Sequence, residues 1–337
     1  MAYYKNISLE KGMYGMPGKS FTQVLEELDS SESYRGTPLE GLDAYQRQLL
    51  RFGIRVGGPG SDTVESFFSS GASAALFPEY VARAVRQGME SSVQAADLAA
   101  TVTKIDGMDY RTITAGTGQD DKSLKAVAEG AQLPATTIRT SQGLVRLHKR
   151  GRMLVSSYEA LRFQKLDLFT VTLRQIGAYI AAAQLQDAVD ALINGDGSKG
   201  GVGFTTGTPA YSDFVSLWGR LAPYALNTVL AGTDAMQKLL NIPEFKDAQA
   251  GMNFQGTGKL VSPLGAKLIH VPTMAAGKII AMDKGCALEL VQAGDVCTEY
   301  DKLIDRQLER AAISVTAGFA RIYEDAALGL SYTVSTS

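Results

Sequence analysis

The chain has 337 residues, 45% of them apolar, which suffices for a sizeable core and excludes global disorder. Its 33 basic and 35 acidic residues leave a net charge of −2, which excludes a strongly basic nucleic-acid-binding domain but not one basic face. Two cysteines, Cys286 and Cys297, form no disulfide framework and predict a protein made in a reducing cytoplasm.

The length is comfortable for two domains. Met1 to Glu10 carries no apolar run and predicts no signal peptide. No stretch reaches the ~20 apolar residues of a membrane helix, and even Ile176 to Leu192 contains Gln184, Gln186, Asp187 and Asp190.

Residues 1–19 lack periodicity and predict an extended arm. Ser20 with Gln23 has the spacing of a capping box, which predicts a helix over Phe21 to Leu28. A second helix is expected from about Leu42 to Phe52, stopped by Gly53, and Gly57-Gly58-Pro59-Gly60 predicts a turn. Elements this short cannot make a large core of their own and must dock on something else, either this chain or a neighbour. Pro78 suits the first turn of a helix that carries Tyr80, Val81, Ala84, Val85 and Met89 at helical spacing.

From Asp109 to Val155 the pattern becomes β-like. Tyr110, Thr112 and Thr114 share one side of a candidate strand, and Gly116, Gly118, Asp120 and Asp121 form a polar tip. Val145 and Leu147 alternate with Arg146 and His148 on the return. A long helix follows, Leu166 to Ile193, with Phe169, Leu173, Ile176, Ile180 and Ala183 on one stripe. Tyr179, Leu185, Ala188, Val189 and Leu192 widen its apolar surface, which predicts packing on more than one side over roughly 40 Å. Asn194-Gly195-Asp196-Gly197 ends it. Tyr211 to Leu221, Gly232 to Leu240 and Pro243 to Phe245 predict helices and connections. Ala266 to Val271 and Lys278 to Met282 predict buried strands, with more strand from Ala287 onward.

No catalytic constellation interrupts this series. Gly18-Lys19-Ser20 has the end of a phosphate loop, but Met13 stands where the motif needs its first glycine. Gly195 to Gly203, with Lys199, follows a helix instead of opening one, so its dipole opposes an anion and a surface turn is expected. His148 and His270 are the only histidines, and the cysteine spacing makes no zinc site and predicts two small buried side chains. Ser156, Ser157 and Ser314 lie in no nucleophile elbow. No catalytic, cofactor or metal residue is expected. Arg139, Arg146, Lys149, Arg150 and Arg152 form the densest basic stretch, which reads equally as a contact surface for an acidic partner or nucleic acid and as a solvated strand face.

Three segments carry a family resemblance. Leu76-Phe77-Pro78-Glu79-Tyr80-Val81 is one. The second is Glu129-Gly130-Ala131-Gln132-Leu133-Pro134, with Val145 to Gly151 and Val155-Ser156-Ser157-Tyr158-Glu159. The third is Gly277 to Val291 followed by Arg310 to Ala327. In order and spacing they resemble the major capsid protein of tailed double-stranded-DNA bacteriophages, the fold named after phage Hong Kong 97. Together they cover most of residues 70–330.

The resemblance implies an α+β fold with an N-terminal arm at 1–76, an arm-to-body helix at 77–99 and an extended β-hairpin loop at 100–155. It further implies a peripheral domain at 156–206 and 284–337 that holds the long spine helix, and an inserted axial domain at 207–283. The implied function is a structural, non-enzymatic subunit that self-assembles as hexamers and pentamers into an icosahedral shell around double-stranded DNA. The implied partners are other copies of the chain, the packaged DNA by non-specific contact, a separate scaffolding protein or none, a portal and decoration proteins, with no membrane. The implied location is the virion, after assembly in the host bacterial cytoplasm. Some members crosslink subunits through a Lys–Asn bond; Lys122 and Lys125 lie near the loop tip, but no partner asparagine aligns. An encapsulin-like shell shares the fold, while a nucleotide-binding enzyme using Gly18 to Ser20 and a monomeric binding module are readings from other classes.

Overall fold

The computed structural model describes residues 5–16, 19–93, 95–115, 126–133, 135, 138–243 and 263–334. The expected loop tip at 116–125, with Lys122 and Lys125, and the segment after Pro243 lie outside the described residues. The chain divides into two compact units. The first comprises Met1–Ser92, Gly151–Ile180 and Val296–Val315; the second comprises Val93–Arg150, Ala181–Asp295 and Thr316–Ser337.

The first unit answers where the short N-terminal elements dock. Helix Phe21–Leu28 starts at Ser20, and both arms of its capping box with Gln23 are formed, as the spacing predicted. Helix Ala44–Arg51 is capped the same way by Asp43 and Gln46. Val24, Leu25, Tyr45 and Leu49 pack with Phe77, Val81 and Val85 of helix Phe77–Glu90 and with Leu166, Leu173 and Ile176 in one core. The arm joins it too: Ile7, Leu9 and Met13 are buried, so this segment is docked and not simply extended. Its lack of periodicity follows from having one short 3₁₀ turn, Lys11–Gly15, as its regular structure.

Polar bonds fix these pieces. Tyr14 donates its hydroxyl to Ala75 O (2.8 Å) and accepts from Glu79 N (3.0 Å). Tyr80 donates to Leu166 O at 2.9 Å. Arg47 is fully buried and pairs with Asp29 at 3.1 Å. Backbones also meet directly. A side chain at Gly177 would place its Cβ 2.1 Å from Val85 O, and one at Gly88 would sit 2.0 Å from Arg174 O, so only glycine permits the approach.

The second unit is built on a five-stranded sheet. Its order is Phe204–Thr206, Ala327–Ser331, Lys278–Met282, Thr228–Ala231, Lys267–His270. The two central strands are nearly all apolar and buried, as strands covered on both faces are. Helices Tyr211–Leu221 and Thr233–Leu240 supply Phe214, Leu217, Leu221, Ala235 and Leu239 to its core. Separately, strand Thr101–Ile105 runs parallel to Leu288–Ala293, which pairs antiparallel with Ala317–Arg321.

Three elements cross the division in sequence: strand Leu147–Ser157, helix Leu166–Asn194 and strand Leu308–Arg321. The helix ends at Gly195 with a φ of +89°, in the left-handed region that glycine favours. The glycine-rich segment after it is the surface turn expected, with most of its residues exposed, but it is anchored by a buried carboxyl. Asp196 is buried and accepts from the amides of Ser198 (2.8 Å), Lys199 (2.7 Å) and Arg321 (2.7 Å). A side chain at Gly201 would meet Ile193 O at 2.0 Å. Such an anchored turn needs tertiary partners that local sequence does not reveal.

Candidate functional site

The segments singled out for chemistry are consumed by structure. Lys19 forms an ion pair with Glu27 at 2.7 Å, and Ser20 spends its hydroxyl on the helix cap, so both side chains already have partners within the chain. Lys199 donates its ammonium to the carbonyls of Arg321 and Ile322, both at 2.6 Å, and burial holds its pKa below the ordinary lysine value. A cation already committed to two carbonyls is poorly placed to cradle a phosphate. Cys286 is half-buried, but Cys297 is exposed, against the expectation that both are buried. Strand alternation explains this, because Cys297 begins strand Cys297–Leu303 on the side of exposed Glu299 and Asp301, opposite the partly buried Thr298 and Tyr300.

Among the described residues no group of His, Cys, Asp and Glu could hold a metal ion, and no helix is long and apolar enough to cross a membrane. An apolar pocket of about 310 Å³ in the first unit is lined by Tyr14, Phe68, Pro78 and Tyr300 among others, without a charged side chain. It offers no acid, base or nucleophile pair.

All five residues of the basic stretch are exposed, and one of them, Arg150, also has a buried acidic partner. Arg150 makes two bonds to Asp187, through Nε (3.0 Å) and Nη2, and His148 Nδ1 lies 3.3 Å from the same carboxylate. Asp187 is buried, so this pair fastens the strand to the long helix. Lys149 and Arg152 remain exposed. Sequence reasoning noted Asp187 as a break in an apolar run and missed its partners; a buried-face Asp opposite a basic strand was the available signal.

The loop is a narrow ribbon at its described end. Ile113–Ala115 pairs antiparallel with Ile138–Thr140, a shorter strand than the spacing from Tyr110 suggested. Tyr110 and Thr112 lie just before this strand, and their hydroxyls bond Glu289 at 2.7 and 2.5 Å. Ile113 and Ile138, on the same ribbon face by register, are 54% and 66% exposed. Two strands with exposed isoleucines are marginal in water without another layer.

The long helix shows a second uncovered apolar surface. Leu168, Val171 and Tyr179 recur at helical spacing and are 61%, 57% and 55% exposed. Phe163, just before the helix, is 76% exposed. These side chains leave apolar surface uncovered within the chain, on both a ribbon and a helix.

Residues 140–295 match a family described as phage capsid protein. The fold is similar to the capsid of an empty GTA particle, with a TM-score of 0.50 and 17% identity over 71% of this chain and 89% of that one. Also similar are a virus-like particle from Pyrococcus furiosus (TM-score 0.49, 13% identity, 75% and 98% covered) and the capsid of Cyanophage P-SCSP1u (0.48, 15%, 71% and 88%). No curated protein matches the chain significantly. The capsid-family match over residues 140–295 and the capsid-type fold point to a structural protein. The chain thus has a phage-capsid-type fold, and its residues 140–295 match a phage capsid protein family.

Proposed function

We propose that the chain is the major shell subunit of a tailed-phage particle, closing as hexamers and pentamers around double-stranded DNA. The observation that carries this reading is the pair of uncovered apolar surfaces, the ribbon with Ile113 and Ile138 and the helix stripe with Leu168, Val171 and Tyr179. The ribbon of one copy covers apolar surface on the next, and a head-to-tail contact of this kind closes into rings. Specific interfaces bury about 1,200–2,000 Å² each, so many modest contacts hold such a shell together.

The domain map that goes with this reading is an arm at 1–76, a helix segment at 77–99, a loop at 100–155, a peripheral domain at 156–206 and 284–337, and an axial domain at 207–283. A scaffolding protein, portal and decoration proteins are the further partners, and the virion is the site of action, after assembly in the host cytoplasm.

Particle size tests the proposal, by light scattering with negative-stain electron microscopy on purified chain co-expressed with scaffold candidates. Closed shells or five- and six-membered rings support it, and a persistent monomer overturns it. Nucleic acid extracted from the particles supports the phage reading, whereas packaged protein moves it to an encapsulin-like compartment. Deleting Gly116 to Lys125 leaves a folded subunit but weakens shell formation; normal shells from that deletion remove the loop from the contact.

A further inference from the structure

We propose that Glu289 is the positioning residue of the extended loop, a single buried carboxylate that ties both arms of the loop's root to the sheet. Glu289 lies on strand Leu288–Ala293 and is 6% exposed. Its Oε1 accepts from Thr103 Oγ1 at 2.5 Å and Tyr110 Oη at 2.7 Å, and its Oε2 accepts from Thr112 Oγ1 at 2.5 Å. Among the described residues it forms no ion pair. Lys199 acts on it electrostatically from beyond ion-pair distance, and the three hydroxyls are what satisfies the buried carboxyl oxygens directly.

The donors sit where the loop begins. Thr103 belongs to strand Thr101–Ile105, which runs beside Leu288–Ala293. Tyr110 and Thr112 belong to the outgoing arm, just before strand Ile113–Ala115. Those two residues also hold the returning arm through their backbones: Val145 N donates to Tyr110 O at 2.9 Å, and Ser141 N donates to Thr112 O at 2.8 Å. Each therefore grips the carboxylate with its side chain and the opposite arm with its carbonyl. Thr112 and Ser141 are buried, whereas Ile113 and Ile138 immediately beyond are exposed, so the clasp stands where the loop passes from packed to uncovered. Burial and the bond to Glu289 both raise the Tyr110 phenol's pKa, which keeps it a donor.

The device predicts that the loop root can be loosened without unfolding the unit. Glu289→Gln keeps shape and loses the charge, and the three hydroxyls can rotate around the amide. Tyr110→Phe removes one donor and nothing else, and it carries the test if Glu289→Gln does not fold. The measurement is residue-resolved amide hydrogen exchange on the full chain. The amides of Ser141 and Val145 should exchange about tenfold faster or more, as expected when bonds to a charged acceptor are weakened. Amides of strand Lys278–Met282 should be unchanged, and Tyr110→Phe should add little in the Glu289→Gln background. Unchanged exchange at the root, or an equal rise through both segments, overturns the clasp. The consequence for assembly rests on the shell reading and is read separately, as particle yield. A loosened root with normal yield leaves the clasp standing and removes the loop from assembly.

Discussion

The two halves of the long helix have similar apolar composition and different surroundings. In Leu166 to Ile180, Leu166, Leu173, Ile176 and Ile180 are buried on one stripe, while Leu168, Val171 and Tyr179 are more than half exposed. In Ala181 to Asn194, Leu185, Ala188, Val189 and Leu192 are buried, and so are the polar Gln184 and Asp187. Apolar content alone thus does not decide burial. The second half is enclosed within its own unit, and the first half keeps one apolar face uncovered, the face the proposed assembly would use.

The comparison can be broken most severely at the first half's close approach. Gly177→Val would drive its side chain into the backbone of helix Phe77–Glu90 at Val85, and the first unit should lose its cooperative melting transition, read by calorimetry. Next in size is Leu192→Ala, which should cost about 2–5 kcal/mol in denaturant unfolding because Leu192 is fully buried. The matched change Leu168→Ala should stay within about 0.5 kcal/mol, since that side chain is 61% exposed. Equal costs at the two positions would remove the contrast.

Val171→Asp sharpens it in the other direction. Stability should change by less than about 1 kcal/mol at this exposed site, while particle yield by light scattering falls. Undiminished assembly would show that the stripe faces solvent in the shell.

The smallest effect is a pH dependence at the end of the second half. Burial alone would raise the Asp196 pKa, but the amides of Arg321, Lys199 and Ser198 outweigh it and hold it below the usual carboxylate range. A carboxyl held low contributes stability above its unfolded pKa of about 4, and that contribution disappears as pH falls through the lower folded value. Denaturation midpoints followed downward from pH 5 should therefore decline, and Asp196→Asn should flatten this part of the profile.

Local signals were readable where local physics suffices. The capping box of Ser20 and Gln23, the strand Lys278–Met282 and the long helix to its glycine stop each depend on neighbours close in sequence. The family resemblance lay in the order of elements, which one chain displays without any coordinates. The clasp at Glu289 was not legible, because its donors lie 177 to 186 residues away in sequence. An acidic residue among Leu288, Leu290 and Val291 was the one hint, and it names no partner. The arm misled for the related reason that Ile7, Leu9 and Met13 are held by a core assembled elsewhere.

The sequence by itself determined which segments are helix and strand, that no conventional catalytic motif is present, and which capsid family the order resembles, since periodicity, caps and breakers act over a few residues. The tertiary structure decided which apolar faces are spent and which stay open, and where the buried charges Asp187, Asp196 and Glu289 find their partners. Burial and long-range hydrogen bonds are properties of the packed chain, and no window of sequence contains both sides of the contact.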